Sequence, residues 1–295
     1  MTHRRPLLLS TLGLLAASAA AGCPQYDAVV AAVSAGETAT ATALYDQIVF
    51  SADCDEAIRD WVGDYLARAS FAEAMAVEGA ARRAALTRAL GYETHWRSYA
   101  ELGRLAFAEA DYPAAAETLQ LALNELSEGD QSHRAETSEI AEIYELAAAA
   151  LLLSDELVRM PRTRSGAAGG ILQTSIRSFE VDEVPLPITF EYNSTAFDAL
   201  GAGYAQSLAD HVLTFAPQAV TLAGHTDPRG GEAFNQELSE ARAAALADFL
   251  RERGYQGEIR VEGYGESLLP PVPPGIVPDS EDYYRLARRV AFSGE

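Results

Sequence analysis

GHTDPRGGEAFNQELSEARA, residues 224–243, is the stretch that decides the reading of this chain. It continues the apolar run AVTLAGHTD (219–227), which has the form of a strand. Within and after it, Leu238, Ala241, Ala245 and Phe249 recur at the spacing of one helix face. Gly230 and Gly231 permit a tight turn between the two elements. Asp227 therefore ends a strand, and Arg242 stands in the helix that follows. Two opposite charges so placed are either an exposed ion pair, contributing under about 1 kcal/mol, or two jaws for a ligand that carries both charges.

The flanking sequence extends the pattern. Pro187 to Asn193 alternates apolar and polar residues, as a strand does, and Leu200, Tyr204, Leu208 and Val212 mark a helix. Gly254 terminates the second helix, GEIRVEGYGE (257–266) reads as a third strand, and ARRVAF (287–292) as a fourth. Strand–helix–strand–helix–strand with a returning last strand describes a small α/β domain. Between the last two strands, Leu268–Tyr284 is rich in proline and is expected to be a long, stiff loop.

GHTDPRG, Asn235-x-x-Leu238-Ser239-x-x-Arg242-Ala243, GYGE and the terminal Arg288-Arg289-Val290 occur in an order and spacing that resembles the OmpA-like peptidoglycan-binding domain, over about residues 184–292. Ala287 precedes the last motif where that family usually has Asn or Asp. The resemblance implies noncovalent binding to the diaminopimelate of the cell-wall stem peptide. The far end of diaminopimelate carries an ammonium and a carboxylate on one carbon. Asp227 is suited to the ammonium and Arg242, with its planar fork, to the carboxylate. By the same resemblance Asn193, Thr226, Asn235 and Leu238 line or support the pocket. Asn235 is expected to cap the helix, with Leu238 and Ser239 in its first turn. Arg229 is read as a loop charge and His225 as structural, because a zinc site wants three or four ligands and no second His/Cys cluster is present.

The preceding half differs in kind. From Tyr26 to Ser154 the chain is alanine-rich with helical periodicity. In residues 96–126, Leu102-Gly103, Ala110, Tyr112, Ala115, Leu119 and Ala122 resemble the tetratricopeptide pattern, with small residues where two helices approach closely. An earlier copy has Gly36, Ala41, Tyr45 and Ile48 at matching offsets, and a weaker one runs from Val62-Gly63 to Phe71. AETSEIAEIYELAAAALLL (135–153) reads as a closing helix over the last apolar face. Such an array is either a spacer or a concave surface for an envelope protein partner. Met160–Gly170 combines breakers and polar residues and reads as a linker, and Ile171–Glu183 as an extended lead-in strand. The expected organisation is therefore a signal peptide at 1–22, an all-α tetratricopeptide-like array at 23–154, a linker at 155–183 and an OmpA-like βαβαβ-β domain at 184–295, an α + α/β chain.

His3, Arg4 and Arg5, the apolar Leu7–Leu15 and the small residues of 17–22 make up the export signal. Cys23 has two readings. Ala20-Ala21-Gly22-Cys23 resembles a lipobox, which would make Cys23 a lipidated first residue. The favoured reading pairs it with Cys54 as a disulfide outside the cytoplasm.

Composition bounds the function classes. The 43 acidic residues outnumber 22 basic ones, all of them arginine, for a net charge of −21, which argues against a nucleic-acid partner. None of the usual nucleophile signatures occurs, so a wall-acting enzyme is disfavoured and no cofactor or metal is expected. The expected protein is a periplasmic, wall- or outer-membrane-associated binding protein. The alternative is an assembly adaptor whose main business is the repeat array.

Overall fold

The computed structural model describes residues 23–129, 135–164, 166, 168–177, 179–191 and 194–294. The expected signal peptide lies outside the described residues. The chain divides into two compact units at His95/Trp96, not at the expected boundary near 154.

In the first unit, α1 (Tyr26–Ala35), α2 (Thr38–Ile48), α3 (Glu56–Ala74) and α4 (Gly79–Tyr92) pack as neighbours in sequence. Asp55 caps α3 by accepting from the Ala57 N–H, and α1 ends on Gly36 in the left-handed region. Val29, Ala32, Ala41, Ile48, Ile58, Val62 and Leu66 form one apolar core. Cys23 and Cys54 join that core through a disulfide.

The second unit begins with α5 (Trp96–Ala108), α6 (Tyr112–Glu128) and α7 (Thr137–Leu153). Asp111 caps α6, with Pro113 in the first turn where its missing N–H costs nothing. Helix α7 is no simple end cap. Every residue from Ala147 to Leu153 is buried, because the helix packs on α6 and also on elements of the C-terminal domain. Its apolar residues, those of α6 and those of the C-terminal sheet belong to a single core. That shared core is the physical reason the division falls before α5.

The expected linker is also part of this core. A short 3-10 turn (Gly170–Leu172) buries Ile171 and Leu172, and β1 (Ser175–Ile176) pairs antiparallel with β2 (Phe179–Glu180). Tyr144 donates to the Ile171 carbonyl at 3.0 Å, and the Val158 N–H donates to the Tyr204 hydroxyl at 3.0 Å. Burial drives the Tyr144 hydroxyl pKa far up and that of Tyr204 to about 12, so both act as neutral fasteners.

The C-terminal sheet has four strands in the order β3-β6-β4-β5: β3 (Val184–Leu186), β4 (Ala219–His225), β5 (Glu258–Gly265) and β6 (Val290–Gly294). β4 and β5 are parallel, while β6 runs antiparallel to both β4 and β3. Central β4 is buried along almost its whole length and reads as a continuous apolar run, whereas edge strand β5 alternates between exposed and half-buried residues. Helix α8 (Ala199–Phe215) buries Tyr204, Leu208 and Val212 as its spacing requires. Helix α9 (Glu232–Glu252) packs on β4 and β5, and α10 (Glu281–Ala287) precedes β6.

Four expectations need correction. The lead strand lies at 184–186, ahead of the expected 187–193, where among the described residues only a lone bridge joins Phe190 to Phe197. The described residues of 171–183 form a 3-10 turn and the short antiparallel pair of β1 and β2, not one extended lead-in strand. The end of the proline-rich stretch is helical, because Ser280 caps α10 by accepting from the Tyr283 N–H. Finally, the buried face of α9 is Asn235, Ser239, Ala243, Leu246, Ala247 and Leu250, rotated from the expected one, on which Ala241 is exposed. With Ala287 before Arg288, the last strand still pairs on both sides.

Candidate functional site

β4 delivers the site. Gly224 lies so close to α9 that a Cβ there would stand 2.0 Å from the Ser239 carbonyl oxygen. Immediately after it the register with β5 shifts, so that His225 sits opposite Gly265. The Thr226 N–H then donates to the Gly265 carbonyl at 2.8 Å. Residues 227–231 leave the sheet as a turn, with Gly230 at φ +114°, a conformation that disfavours any side chain.

Asn235 holds this turn from within α9. Its Nδ2 donates to the carbonyls of Asp227 and Arg229, both at 3.3 Å, and to Glu266 Oε2 at 2.5 Å. The helix is capped instead by Gly231, without a side-chain bond, so Asn235 is a turn clamp and not the expected cap. Leu238 and Arg242 follow at three- and seven-residue offsets from Asn235, on the same side of the helix and half-buried, in its second and third turns. Asn193 lies outside the described residues. Thr226 is buried, and its hydroxyl makes no hydrogen bond among the described residues.

Asp227 is 6 % exposed, and it is held by Arg229 and Arg288. Its Oδ1 accepts from the Arg229 backbone N–H at 3.0 Å and from Arg229 Nε at 3.2 Å. Its Oδ2 accepts from Arg229 Nη2 at 2.8 Å and from Arg288 Nη1 at 2.7 Å. Glu281 on α10 bridges the same two arginines, at 3.0 Å to Arg229 Nη1 and 2.7 Å to Arg288 Nη2. Burial alone would raise the Asp227 pKa, but the hydrogen bonds from Arg229 and Arg288 outweigh it and bring the value to about 2. Asp227 is therefore ionised at any physiological pH.

Arg242 differs from the other two arginines. Its guanidinium lies over the Phe190 ring at 5.0 Å, and its Nε is buried without a hydrogen bond among the described residues. Burial and the neighbouring Arg288 charge lower its pKa, and the Asp227 charge opposes them. Arg229 and Arg288 thus share the carboxylates of Asp227 and Glu281 at the C-terminal end of the central strand, with the Arg242 guanidinium within range of the Asp227 and Arg288 charges, in a chain whose net charge is −21. Such a site favours an anion next to Arg242.

His225 is buried and stacks on Tyr264, with centroids 5.4 Å apart. Burial and the nearby Arg289 charge push its pKa down to about 3, so it is a neutral wall. Among the described residues no group of three His, Cys, Asp or Glu side chains is arranged to hold a metal ion. None of their helices is long and apolar enough to cross a membrane.

The sequence reading paired Asp227 with Arg242 and missed Arg288, Glu281 and Phe190. It reads Arg229 as a loop charge, whereas Arg229 is the main partner of Asp227. Arg288 is 61 residues from Asp227, so no local spacing announces the contact. The terminal Arg288-Arg289-Val290 motif carries part of the family resemblance, but its place beside the last strand does not announce a contact with Asp227.

Residues 189–270 match the OmpA family, and the chain carries an OmpA family domain there. Outer membrane porin F of Pseudomonas aeruginosa is 37% identical over 90 residues, covering 30% of this chain and 26% of the porin. The peptidoglycan-associated lipoprotein of Legionella pneumophila is 33% identical over 104 residues, covering 35% of this chain and 56% of the lipoprotein. The chain thus spans roughly a quarter to just over half of these relatives. Among solved structures, the OmpA-like domain of FopA1 from Francisella tularensis is 25% identical over 35% of this chain and 66% of its own, with a TM-score of 0.29.

Proposed function

We propose that this chain is a non-enzymatic, exported envelope protein that binds peptidoglycan noncovalently through the diaminopimelate of the stem peptide. Arg242 takes the ligand carboxylate and Asp227 the ammonium on the same carbon, with Thr226, Asn235 and Leu238 supporting them. One observation carries this reading. Arg242 is held over Phe190 with its Nε unpaired among the described residues, while Arg229 and Arg288 are committed to carboxylates. A guanidinium held in place and short of an acceptor is a ready fork for a carboxylate. One matched relative is named as a peptidoglycan-associated lipoprotein, which is in keeping with the reading. The tetratricopeptide-like helices offer a surface for an envelope protein partner, and the Cys23–Cys54 disulfide suits an oxidising compartment.

Cosedimentation with diaminopimelate-type sacculi tests the proposal. The wild-type protein is expected in the pellet, and Asp227→Ala and Arg242→Ala in the supernatant with unchanged circular dichroism. Pelleting of both variants like wild type would refute the site.

A further inference from the structure

The Asp227 carboxylate has no acceptor position to spare. A carboxylate offers about four lone-pair directions, and four donors already occupy them: the Arg229 backbone N–H, Arg229 Nε, Arg229 Nη2 and Arg288 Nη1. An incoming ammonium must vacate one of them. The backbone N–H belongs to the turn itself. The Arg288 side chain is 31% exposed, and its other terminal nitrogen is tied to Glu281. The Arg229 side chain is 54% exposed, the freest of the donors to move.

Arg229 also has somewhere to go. Its Nη1 already donates to Glu281 Oε2, and its guanidinium lies 4.8 Å from the centre of the Tyr284 ring. Released from Asp227, it keeps a carboxylate and an aromatic face, both on α10. The geometry points to Arg229 as an internal competitor: its guanidinium stands in for the ligand ammonium on Asp227, and its displacement sets the affinity of the site. This rests on the proposal that Asp227 receives an ammonium, and it adds a residue that tunes the strength of binding.

Calorimetric titration of the mature full chain tests it, with free diaminopimelate and, in parallel, pimelate, which keeps both carboxylates but has no ammonium. Arg229→Gln is expected to bind diaminopimelate about five-fold tighter, the scale of one exposed ion pair. Its affinity for pimelate should match wild type, because pimelate does not compete for Asp227. Arg229→Lys, which keeps the charge but loses the fork, should fall between wild type and Arg229→Gln. Unchanged or weaker diaminopimelate binding by Arg229→Gln would overturn the inference, as would an equal gain for both ligands, which would mean a reshaped pocket. Arg242→Ala separates this from the underlying proposal. If that variant binds like wild type, the site assignment itself fails. If it loses binding while Arg229→Gln gains none, only the competitor role fails. Unchanged melting of each variant confirms that it is folded.

Discussion

The first unit and the OmpA-like domain bury very different things. In residues 23–95 the core is almost wholly apolar and is joined by the disulfide, and the ion pair between Arg88 and Glu73 is exposed on both sides. In the domain, His225, Thr226, Asp227, Asn235 and Ser239 are all buried within fifteen residues, around the end of one strand. Burying polar groups costs free energy unless each is partnered. A fold that needed only stability would build the second region like the first. The concentration of buried polar groups at one turn, beside an arginine whose Nε has no partner among the described residues, marks that turn as the candidate site.

Three experiments probe this contrast, the largest effect first. Cys54→Ser should destabilise the first unit by about 3–4 kcal/mol, since the disulfide closes a loop with a sequence separation of 31. Calorimetry should show its transition shifted down, with that of residues 96–295 unmoved. A shift of both would mean that the two units unfold as one. Gly224→Ala should do the reverse at a cost of about 3 kcal/mol, because the Ser239 backbone cannot swing away from an added Cβ as a side chain could. The second transition should fall by at least about 6 °C, and a loss below 1 kcal/mol would contradict the close approach of β4 and α9.

The third effect is a pH dependence confined to the second unit. Burial lowers the pKa of His211 to about 4 and, with the Arg289 charge, that of His225 to about 3, from 6.5. The unfolded chain therefore binds more protons, and stability present above pH 6.5 is lost as pH falls toward 4 and 3. The slope should reach at most about 1.4 kcal/mol per pH unit for each histidine. Asp227, lowered from 3.8 to about 2, adds a further loss only below pH 4. Chemical denaturation between pH 8 and 4 should show the histidine slope, and Asp227→Asn should leave that range unchanged. A stability flat from pH 7 to 4 would contradict the neutral buried histidines.

How much of this was legible depends on the range of the interactions. Tyr204, Leu208 and Val212 announce α8 because their periodicity is local and tertiary packing agrees with it. The face of α9 was misjudged because Asn235 and Ser239, both polar, point inward to hold the turn and the end of β5. Site chemistry of this kind inverts the hydrophobic pattern. Helix α10 was hidden behind prolines, and with it Glu281. The division at residue 95 was hidden because α5 to α7 carry the same alanine-rich pattern as the helices before them. Only packing shows that Ala147 to Leu153 face two partners. Asp227 and Arg242 stand out as candidates because one strand–turn–helix stretch carries both, whereas the contact of Asp227 with Arg288 requires the closed sheet.

The most direct test of the central claim is displacement. Wild-type protein bound to sacculi is washed with increasing free diaminopimelate, and the released fraction is measured. Saturable release is the predicted result, with pimelate a poorer competitor because it offers Asp227 no ammonium. Protein that stays on the wall at every concentration of diaminopimelate would contradict the account.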